Sequence, residues 1–185
     1  MDPKAELRSQ MRVVRRRLAA ETPDAGERAA ANLPSGWPGR AVTVYGLYHP
    51  TGSEIDPTAI QLAGHRALPV VVERNAPMIF RRYSAGDPLA PDALGIAAPV
   101  AASAQAWPDV LFTPVLAFDR RGGRLGQGGG FYDRTIAALR MRGPLLVVGV
   151  AFSGQELPDV PMEAHDERLD AILTETSFIP VATHL

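Results

Sequence analysis

A glycine-rich segment in the second half of the chain restricts the possible folds more than any other feature. Six of the nine residues in 122–130 are glycine. A short predicted strand over 109–114 leads through 115–118 into this segment, and a predicted helix over 131–142 and an apolar strand over 145–152 follow it. Glycine lets successive backbone N–H groups turn toward an anion at a helix start, so this order is typical of phosphate binding.

The segment matches neither of two common nucleotide-binding loops. A P-loop carries Lys and then Ser or Thr after its final glycine, whereas Gly128 is followed by Gly129. A dinucleotide fingerprint that starts at Gly126 requires a third glycine where this chain has Phe131. The sequence therefore argues against both a P-loop and NAD binding of the Rossmann type.

Charged side chains flank the glycine-rich segment. Arg121, Arg124 and Arg134 could neutralise phosphate. Asp133 falls in the first turn of the predicted helix, where a carboxylate can hold a magnesium ion that bridges phosphates. A flexible surface loop is the alternative, since a glycine cluster alone also indicates such loops. The charges favour the phosphate site.

Composition excludes several kinds of site. A length of 185 residues suits one domain, which we assign to 1–185. The sequence contains no cysteine, which excludes disulfides, thiolate metal sites and cysteine nucleophiles and favours the cytosol. We see no secretory signal, and the apolar run over 145–152 is far below the ~20 residues that cross a bilayer. We therefore expect a cytoplasmic protein that does not act at a membrane.

Positive charge is concentrated near the N-terminus. The net charge of −1 argues against a protein that coats nucleic acid, but 4–17 contains one lysine and five arginines against Glu6 alone. Apolar residues recur at helical spacing in the same region and predict a helix over 3–20. These residues are Leu7, Met11, Val14 and Leu18.

Elsewhere the pattern alternates between helices and strands and predicts an α/β fold. We predict a second helix after Asp24 that ends before Pro34, and a third opened by Asp56 and Pro57. Segment 88–108 is predicted as loop with short helical pieces. The further predicted strands are 42–48, 68–73, 77–83 and 171–175.

Several segments together resemble one known family. Arg-Leu-Gly-Gln-Gly-Gly-Gly-Phe-Tyr-Asp-Arg at 124–134, after Leu-Ala-Phe-Asp at 116–119, resembles the signature of 5-formyltetrahydrofolate cyclo-ligases. The resemblance extends over nearly the whole chain, through Lys-Ala-Glu-Leu-Arg at 4–8, Ser-Glu-Ile-Asp at 53–56, Ala-His-Asp at 164–166 and Leu-Asp-Ala-Ile-Leu-Thr-Glu at 169–175.

Two positions depart from the pattern of that family. Gln127 stands where many members carry tyrosine, and Ala-Ala-Pro at 97–99 stands where a Glu-Pro pair is usual. Neither departure removes an expected ligand of phosphate or metal. The second could alter contacts with the substrate.

The resemblance implies a fold and an activity. The fold would be a three-layer α/β sandwich with a mainly parallel open sheet and helices on both faces. The activity would be the ATP- and Mg²⁺-dependent conversion of 5-formyltetrahydrofolate to 5,10-methenyltetrahydrofolate with release of ADP and phosphate. ATP would phosphorylate the formyl oxygen, and N10 would then attack the activated carbon. We expect a monomer that acts on this small molecule, with or without a polyglutamate tail.

By matched position, the resemblance also implies roles for individual residues. Arg124 and Asp133 would be catalytic, and Asp133 and Asp166 would hold the metal. His49, Glu54 and Tyr132 would bind the folate. The residues expected to bind ATP are Lys4, Arg8, Arg124, Leu125, Gly126, Gln127, Gly128, Gly129, Gly130, Phe131 and Tyr132.

Taken alone, these residues also permit simpler interpretations. Glu54 could be a helix-start carboxylate and Asp166 a loop cap. Tyr132 could stack on a ligand ring or pack against the sheet, and we expect Arg16 and Arg17 to lie on a solvated helical face.

Alternatives also stay open for the function as a whole. A divergent ligase or kinase could use the same loop to activate another carbonyl. A binding protein could recognise a folate or nucleotide without catalysis. As a third alternative, the basic helix could dock on RNA or an anionic membrane.

Overall fold

The structure, a computed structural model, describes residues 3–182, in which three helices and twelve strands are formed. The helices are α1 (Pro3–Glu21), α2 (Ala25–Asn32) and α3 (Phe131–Arg140), with a 3-10 turn at Ser153–Gln155. The strands are β1 (Val44–Gly46), β2 (His65–Val70), β3 (Ile79–Arg82), β4 (Leu89–Pro91), β5 (Ala97–Pro99), β6 (Gln105–Ala106), β7 (Val110–Pro114), β8 (Ala117–Phe118), β9 (Arg124–Leu125), β10 (Leu146–Val150), β11 (Ala171–Leu173) and β12 (Phe178–Pro180).

Eight of these strands form one sheet with a parallel centre. Their order is β12-β11-β10-β7-β1-β2-β3-β6. Strands β11, β10, β7, β1 and β2 run parallel; β12 pairs antiparallel with β11, β3 with β2, and β6 with β3. Two hairpins, β4 with β5 and β8 with β9, lie outside this sheet. The carboxyl ends of the five parallel strands therefore share one edge.

Helices cover both faces of the sheet. Leu111 and Phe112 are consecutive in β7 and point to opposite faces, as strand geometry requires. Phe112 belongs to a core cluster with Ala29 of α2, whereas Leu111 belongs to a cluster with Ile136 of α3. The predicted three-layer α/β fold with a mainly parallel sheet is thus confirmed.

Helix α1 buries polar as well as apolar residues. Lys4, Met11 and Arg15 are only 9%, 5% and 6% exposed, and their spacing of seven and four residues places them on one helical face. The helix ends at Glu21 because Pro23 disfavours a helical conformation at the residue before it. Within residues 3–182, no helix has both the length and the apolar character needed to cross a membrane.

The prediction fails mainly between residues 50 and 108. The helix predicted after Asp56 and Pro57 is wrong, because 51–64 forms turns, bends and irregular chain. The Asp56 carboxylate accepts a hydrogen bond from the Thr58 N–H at 2.9 Å, so it caps a local turn and not a helix. In 88–108, the predicted short helical pieces are wrong, and β4, β5 and β6 stand in their place.

The other predicted elements are confirmed with shifted ends. All three helices α1, α2 and α3 lie where the sequence predicts them. The strand predicted over 68–73 begins and ends three residues earlier, as β2. The short strands β9 and β12 were not predicted.

Candidate functional site

A cavity of about 550 Å³ opens at the carboxyl ends of the parallel strands. Tyr48 and His49 follow β1, Val71 follows β2 and Val115 follows β7, and all four line the cavity. Helix α1 and the glycine-rich segment supply further walls. Open α/β sheets bind ligands at this edge, because the loops after neighbouring parallel strands meet there.

Every residue that the resemblance predicts to bind ATP, folate or metal lines this cavity. These residues come from four separate parts of the chain. They are Lys4 and Arg8, His49 and Glu54, the continuous run 124–133, and Asp166. Their individual roles stay predictions, whereas their proximity is a property of the fold.

Two glycines shape the wall next to α3. Gly128 and Gly130 have φ angles of 97° and 64°, which side-chain-bearing residues rarely adopt. A Cβ atom on Gly130 would lie 2.6 Å from Nη1 of Arg134, and one on Gly128 would lie 3.3 Å from Cζ of Arg8. Gly130 is also the N-cap of α3 and offers no side chain to its first turn. The helix start therefore suits an anion from solution.

Arg124 and Asp133 form a largely buried ion pair in the cavity wall. Strand β9 carries Arg124, and the first turn of α3 carries Asp133. Arg124 Nε donates to the Glu167 carbonyl at 2.8 Å, and the Glu167 N–H donates to Asp133 Oδ1 at 3.0 Å. Burial lowers the pKa of Arg124, and the carboxylate of Asp133 opposes that shift. An arginine still keeps its charge at neutral pH.

Lys4 and Asp166 form a second pair. Nζ of Lys4 lies 2.6 Å from Oδ2 of Asp166 and 3.1 Å from Oε1 of Glu163. Burial alone would lower the pKa of Lys4, but the hydrogen bonds to these two carboxylates raise it overall. Asp166 Oδ2 also accepts the Glu163 N–H at 2.7 Å. The loop-cap interpretation of Asp166 therefore holds alongside the ion pair.

The carboxylates in the cavity fit a magnesium ion that arrives with phosphate. Among residues 3–182, no group of three or more His, Asp or Glu side chains is arranged to hold a metal. Asp133 and Asp166 each face a cation. Magnesium takes one or two carboxylates and completes its octahedron with water and phosphate oxygens. Asp133 and Asp166 are therefore suitable protein ligands for such an ion.

The other arginines near the glycine-rich segment differ in their contacts. Arg8 Nε donates to the Gly126 carbonyl at 3.1 Å. Arg121 pairs with Asp159, outside the cavity. Arg134 does not line the cavity either, and its Nη2 instead donates to the Gly129 carbonyl at 2.9 Å. Of the three arginines that flank the glycine-rich segment, Arg124 lines the cavity, whereas Arg121 and Arg134 do not.

The exposed part of α1 agrees with the sequence prediction. Arg16 and Arg17 are exposed, as expected for a solvated helical face. Arg12 is half-buried. Its Nε donates to Oε1 of Gln127 at 3.0 Å. Gln127, which departs from the family pattern, therefore has a partner on α1.

Glu54 is held from two sides. Arg15 Nη1 lies 3.4 Å from Glu54 Oε1, and the Thr51 N–H donates to Glu54 Oε2 at 2.9 Å. No helix starts at Glu54, so its interpretation as a helix-start carboxylate is wrong. Sequence reasoning gave Arg15 no role, although its position seven residues after Arg8 places it on the same face.

A group of apolar residues also lines the cavity and was largely missed from the sequence. This apolar wall comprises Pro69, Val71, Met78, Leu94, Ile96 and Ala97. Half of these residues, Leu94, Ile96 and Ala97, belong to segment 88–108, which differs from its predicted structure, and Ala97 lies within the departure from the family pattern. Apolar side chains in a loop-like sequence carry no distinctive spacing, so no signal identified this wall.

Tyr132 lies between the cavity and the core. It lines the cavity and also packs against the cluster that contains Ile136, so the two interpretations of Tyr132 are compatible. Burial, and then the negative charge of Glu54, raise the pKa of the Tyr132 hydroxyl far above its ordinary value. Tyr132 is therefore a neutral donor at neutral pH.

Comparison with known proteins identifies relatives of the whole chain. The model of the 5-formyltetrahydrofolate cyclo-ligase family matches residues 1–175. A 5-formyltetrahydrofolate cyclo-ligase of Mycolicibacterium smegmatis is 31% identical over 195 residues, covering 94% of this chain and 95% of that protein. The enzyme of the same name from Haemophilus influenzae is 38% identical over 100 residues. That alignment spans about half of either protein, 52% of this chain and 53% of the relative.

Solved structures agree with these matches. The NMR structure of Aquifex aeolicus 5,10-methenyltetrahydrofolate synthetase has a TM-score of 0.77 and 30% identity, covering 98% of this chain and 94% of that one. A 5,10-methenyltetrahydrofolate synthetase from Mycoplasma pneumoniae has a TM-score of 0.69, 21% identity and coverage of 95% and 99%. The second likeness concerns the fold alone.

Proposed function

This chain belongs to the 5-formyltetrahydrofolate cyclo-ligase family, and we propose that it converts 5-formyltetrahydrofolate to 5,10-methenyltetrahydrofolate while ATP becomes ADP and phosphate. One observation carries the proposal. A single cavity is lined by cations, by a glycine-rich helix start and by a group of apolar side chains. A nucleoside triphosphate needs the cations and the helix start, and a folate ring needs the apolar side chains, in the same cavity.

The cationic part suits the phosphates of ATP. Lys4, Arg8 and Arg124 supply positive charge, and the N–H groups of 126–130 supply donors. Phosphoryl transfer depends on positioning and on neutralising charge more than on covalent help from the protein. Asp133 and Asp166 would hold Mg²⁺, which supplies positive charge to the phosphate oxygens.

The remaining walls suit the folate. A pterin ring is flat, with apolar faces and N–H groups on its edge. The apolar wall, which includes Val71 and Met78, can pack against a face of the ring, and the Glu54 carboxylate can accept its N–H groups. His49 at the rim and the Tyr132 hydroxyl complete the expected set.

The proposed reaction needs no nucleophilic side chain. The formyl oxygen attacks the γ-phosphorus, and ADP leaves. N10 then attacks the activated formyl carbon and loses its proton, and the carbon–oxygen bond breaks as phosphate departs. The residues bind, orient and neutralise charge throughout, which agrees with a cavity that contains no cysteine.

The direct test is the absorbance of the methenyl product. Purified protein is mixed with 5-formyltetrahydrofolate, ATP and Mg²⁺, and each component is omitted in turn. We expect a rise that requires all of them. Phosphate release without the methenyl band would instead indicate another carbonyl substrate. Folate binding without any ATP consumption would indicate a binding protein.

Three further proposals rest on the sequence. We propose that 1–185 acts as one domain, because its length suits a single core. We propose a cytoplasmic location from the absence of cysteine. By resemblance, we propose that the protein acts as a monomer, which its mass in solution would test.

A further inference from the structure

Arg15 is a buried cation that the proposed chemistry does not use directly. Its side chain is 8% exposed, and the side chain of its partner Glu54 is 7% exposed. Both side chains line the cavity. A buried charge is strongly unfavourable unless it is paired and hydrogen-bonded, so this pair needs a favourable arrangement to persist.

Arg15 contacts two consecutive residues of the loop after β1. Its Nε donates to Oγ of Ser53 at 3.1 Å, and its Nη1 lies 3.4 Å from Oε1 of Glu54. On the other side, Oε2 of Glu54 accepts the N–H of Thr51 at 2.9 Å and its hydroxyl at 3.1 Å. Both carboxylate oxygens are therefore fixed, one from α1 and one from the loop itself.

We propose that Arg15 is a positioning residue that aims the Glu54 carboxylate at the N–H edge of the folate ring. This inference rests on the proposed function. A carboxylate offers about four acceptor sites, and these contacts occupy one on Oε1 and two on Oε2. Oε1 thus keeps the capacity to accept a ligand N–H, in a direction that Arg15 and Thr51 restrict.

Helix α1 links this position to the cationic part of the cavity. Lys4 and Arg15 are eleven residues apart on the same helical face, which corresponds to about 16 Å along a helix axis. Lys4 contacts Asp166, the expected metal ligand, and Arg15 contacts Glu54. One rigid element therefore sets the separation of the carboxylate that would bind the folate from the residues that would bind phosphate.

The test compares two neighbouring arginines of α1. Arg15→Met keeps much of the side-chain volume but removes the charge, and Arg16→Met makes the same change at an exposed position. The readouts are the dissociation constant of 5-formyltetrahydrofolate without ATP and the KM values for both substrates. We expect Arg15→Met to weaken folate binding about 10- to 100-fold, as expected for loss of a hydrogen bond to a charged group. KM for ATP should change less than about twofold, and Arg16→Met should resemble the wild type.

A double-variant cycle separates positioning from general structure. If Arg15 acts through Glu54, Arg15→Met should have no further effect on folate affinity in a Glu54→Gln background. Fully additive losses would overturn the proposal, as would wild-type folate affinity in the Arg15→Met protein.

Two milder variants cover the case in which Arg15→Met does not fold. Arg15→Lys keeps the charge but lacks the planar fork that reaches Ser53 and Glu54 together, and Ser53→Ala removes one acceptor. We expect each to raise KM for the folate roughly 3- to 10-fold with an unchanged Tm. Wild-type values in both would overturn the proposal. The wild-type protein is assayed in parallel. Absence of turnover by the wild-type protein would refute the proposed function, whereas the variants test only the role of Arg15.

Discussion

The two parts of the cavity are built in different ways. The cationic part comes mostly from one continuous run, 124–133, joined by Lys4 and Arg8 from α1. The apolar wall collects residues from the end of β2 and the residue after it, from the residue before β3 and from the β4–β5 hairpin. Backbone conformation restricts the residue type in the first part, as at Gly130, whereas many apolar residues could fill the second. A sequence motif therefore identifies the first part and says little about the second.

Removing the ion pair beside the glycine-rich segment should have the largest effect. We expect Arg124→Ala and Asp133→Asn each to lower kcat/KM by on the order of 10²-fold or more, because the charge that forms in phosphoryl transfer loses its partner. Steady-state kinetics measures the change. Arg121→Ala is the matched control, since Arg121 pairs with Asp159 outside the cavity. Near-normal activity of both site variants would contradict the assignment.

A substitution at Gly130 should have the next largest effect. In Gly130→Ala, the new Cβ meets Nη1 of Arg134 at 2.6 Å and the residue keeps a φ of 64°. We expect about tenfold weaker ATP binding and about 1 kcal/mol lower stability, from the strained left-handed backbone. Calorimetry and denaturant unfolding measure the two quantities. Gly143→Ala, at a position with open space around it, should change neither.

The apolar wall should respond more weakly and affect only the folate. In Met78→Ala, the loss of buried side-chain contact should raise KM for 5-formyltetrahydrofolate by roughly 3- to 10-fold. KM for ATP should stay constant if the two parts of the cavity are independent. Met141→Ala is the control, because Met141 is 91% exposed. An equal rise in both KM values would remove the distinction between the two parts.

Substitution of Asp119 should lower the stability of the fold more than it changes turnover. Its carboxylate accepts the N–H groups of Arg121, Gly123 and Val160 at 2.8–3.0 Å. Burial alone would raise the pKa of Asp119, but these bonds lower it below its ordinary value of 3.8. The resulting stability is present above pH ~4 and is lost as the pH falls through the lowered pKa.

The Asp119→Asn variant tests this pH dependence. It keeps one oxygen acceptor and should lose about 1–2 kcal/mol of stability at neutral pH. The difference in unfolding free energy between Asp119→Asn and the wild type should be smaller at pH 3 than at pH 7. The turnover of the folded variant should change least among these four tests. A constant difference between the two proteins across this pH range would contradict the expected origin of the stability.

The sequence predicts elements where one local signal dominates. Helix α3 follows the glycine-rich segment as expected, and α2 ends before Pro34 because the preceding Leu33 is extended. The candidate site residues in 124–133 were predicted for the same reason. Their neighbours along the chain carry the signal, and the glycine conformations tolerate few replacements.

Other elements were not predicted, because their local sequence permits two structures or because they depend on distant contacts. Asp56 and Pro57 resemble a helix start, but the Asp56 carboxylate closes a local turn on Thr58 and the chain continues without regular structure. The three-residue strand β12 exists because it pairs with β11. Arg15 resembles its exposed neighbours until Ser53 and Glu54 fold against it. Tertiary pairing decides the cases of β12 and Arg15, and no local pattern reports it.

The two ion pairs also bear on which anions can enter the cavity. Since Lys4 faces Asp166 and Arg124 faces Asp133, each of these cations already has an internal counter-ion. An anion that arrives alone, such as inorganic phosphate, has to compete with a tethered carboxylate for the charge of Lys4 and for that of Arg124. A magnesium–nucleotide complex brings a cation for the carboxylates together with anions for Lys4 and Arg124. We therefore expect the cavity to discriminate against the phosphate that the proposed reaction would release, so that product inhibition by phosphate is weak.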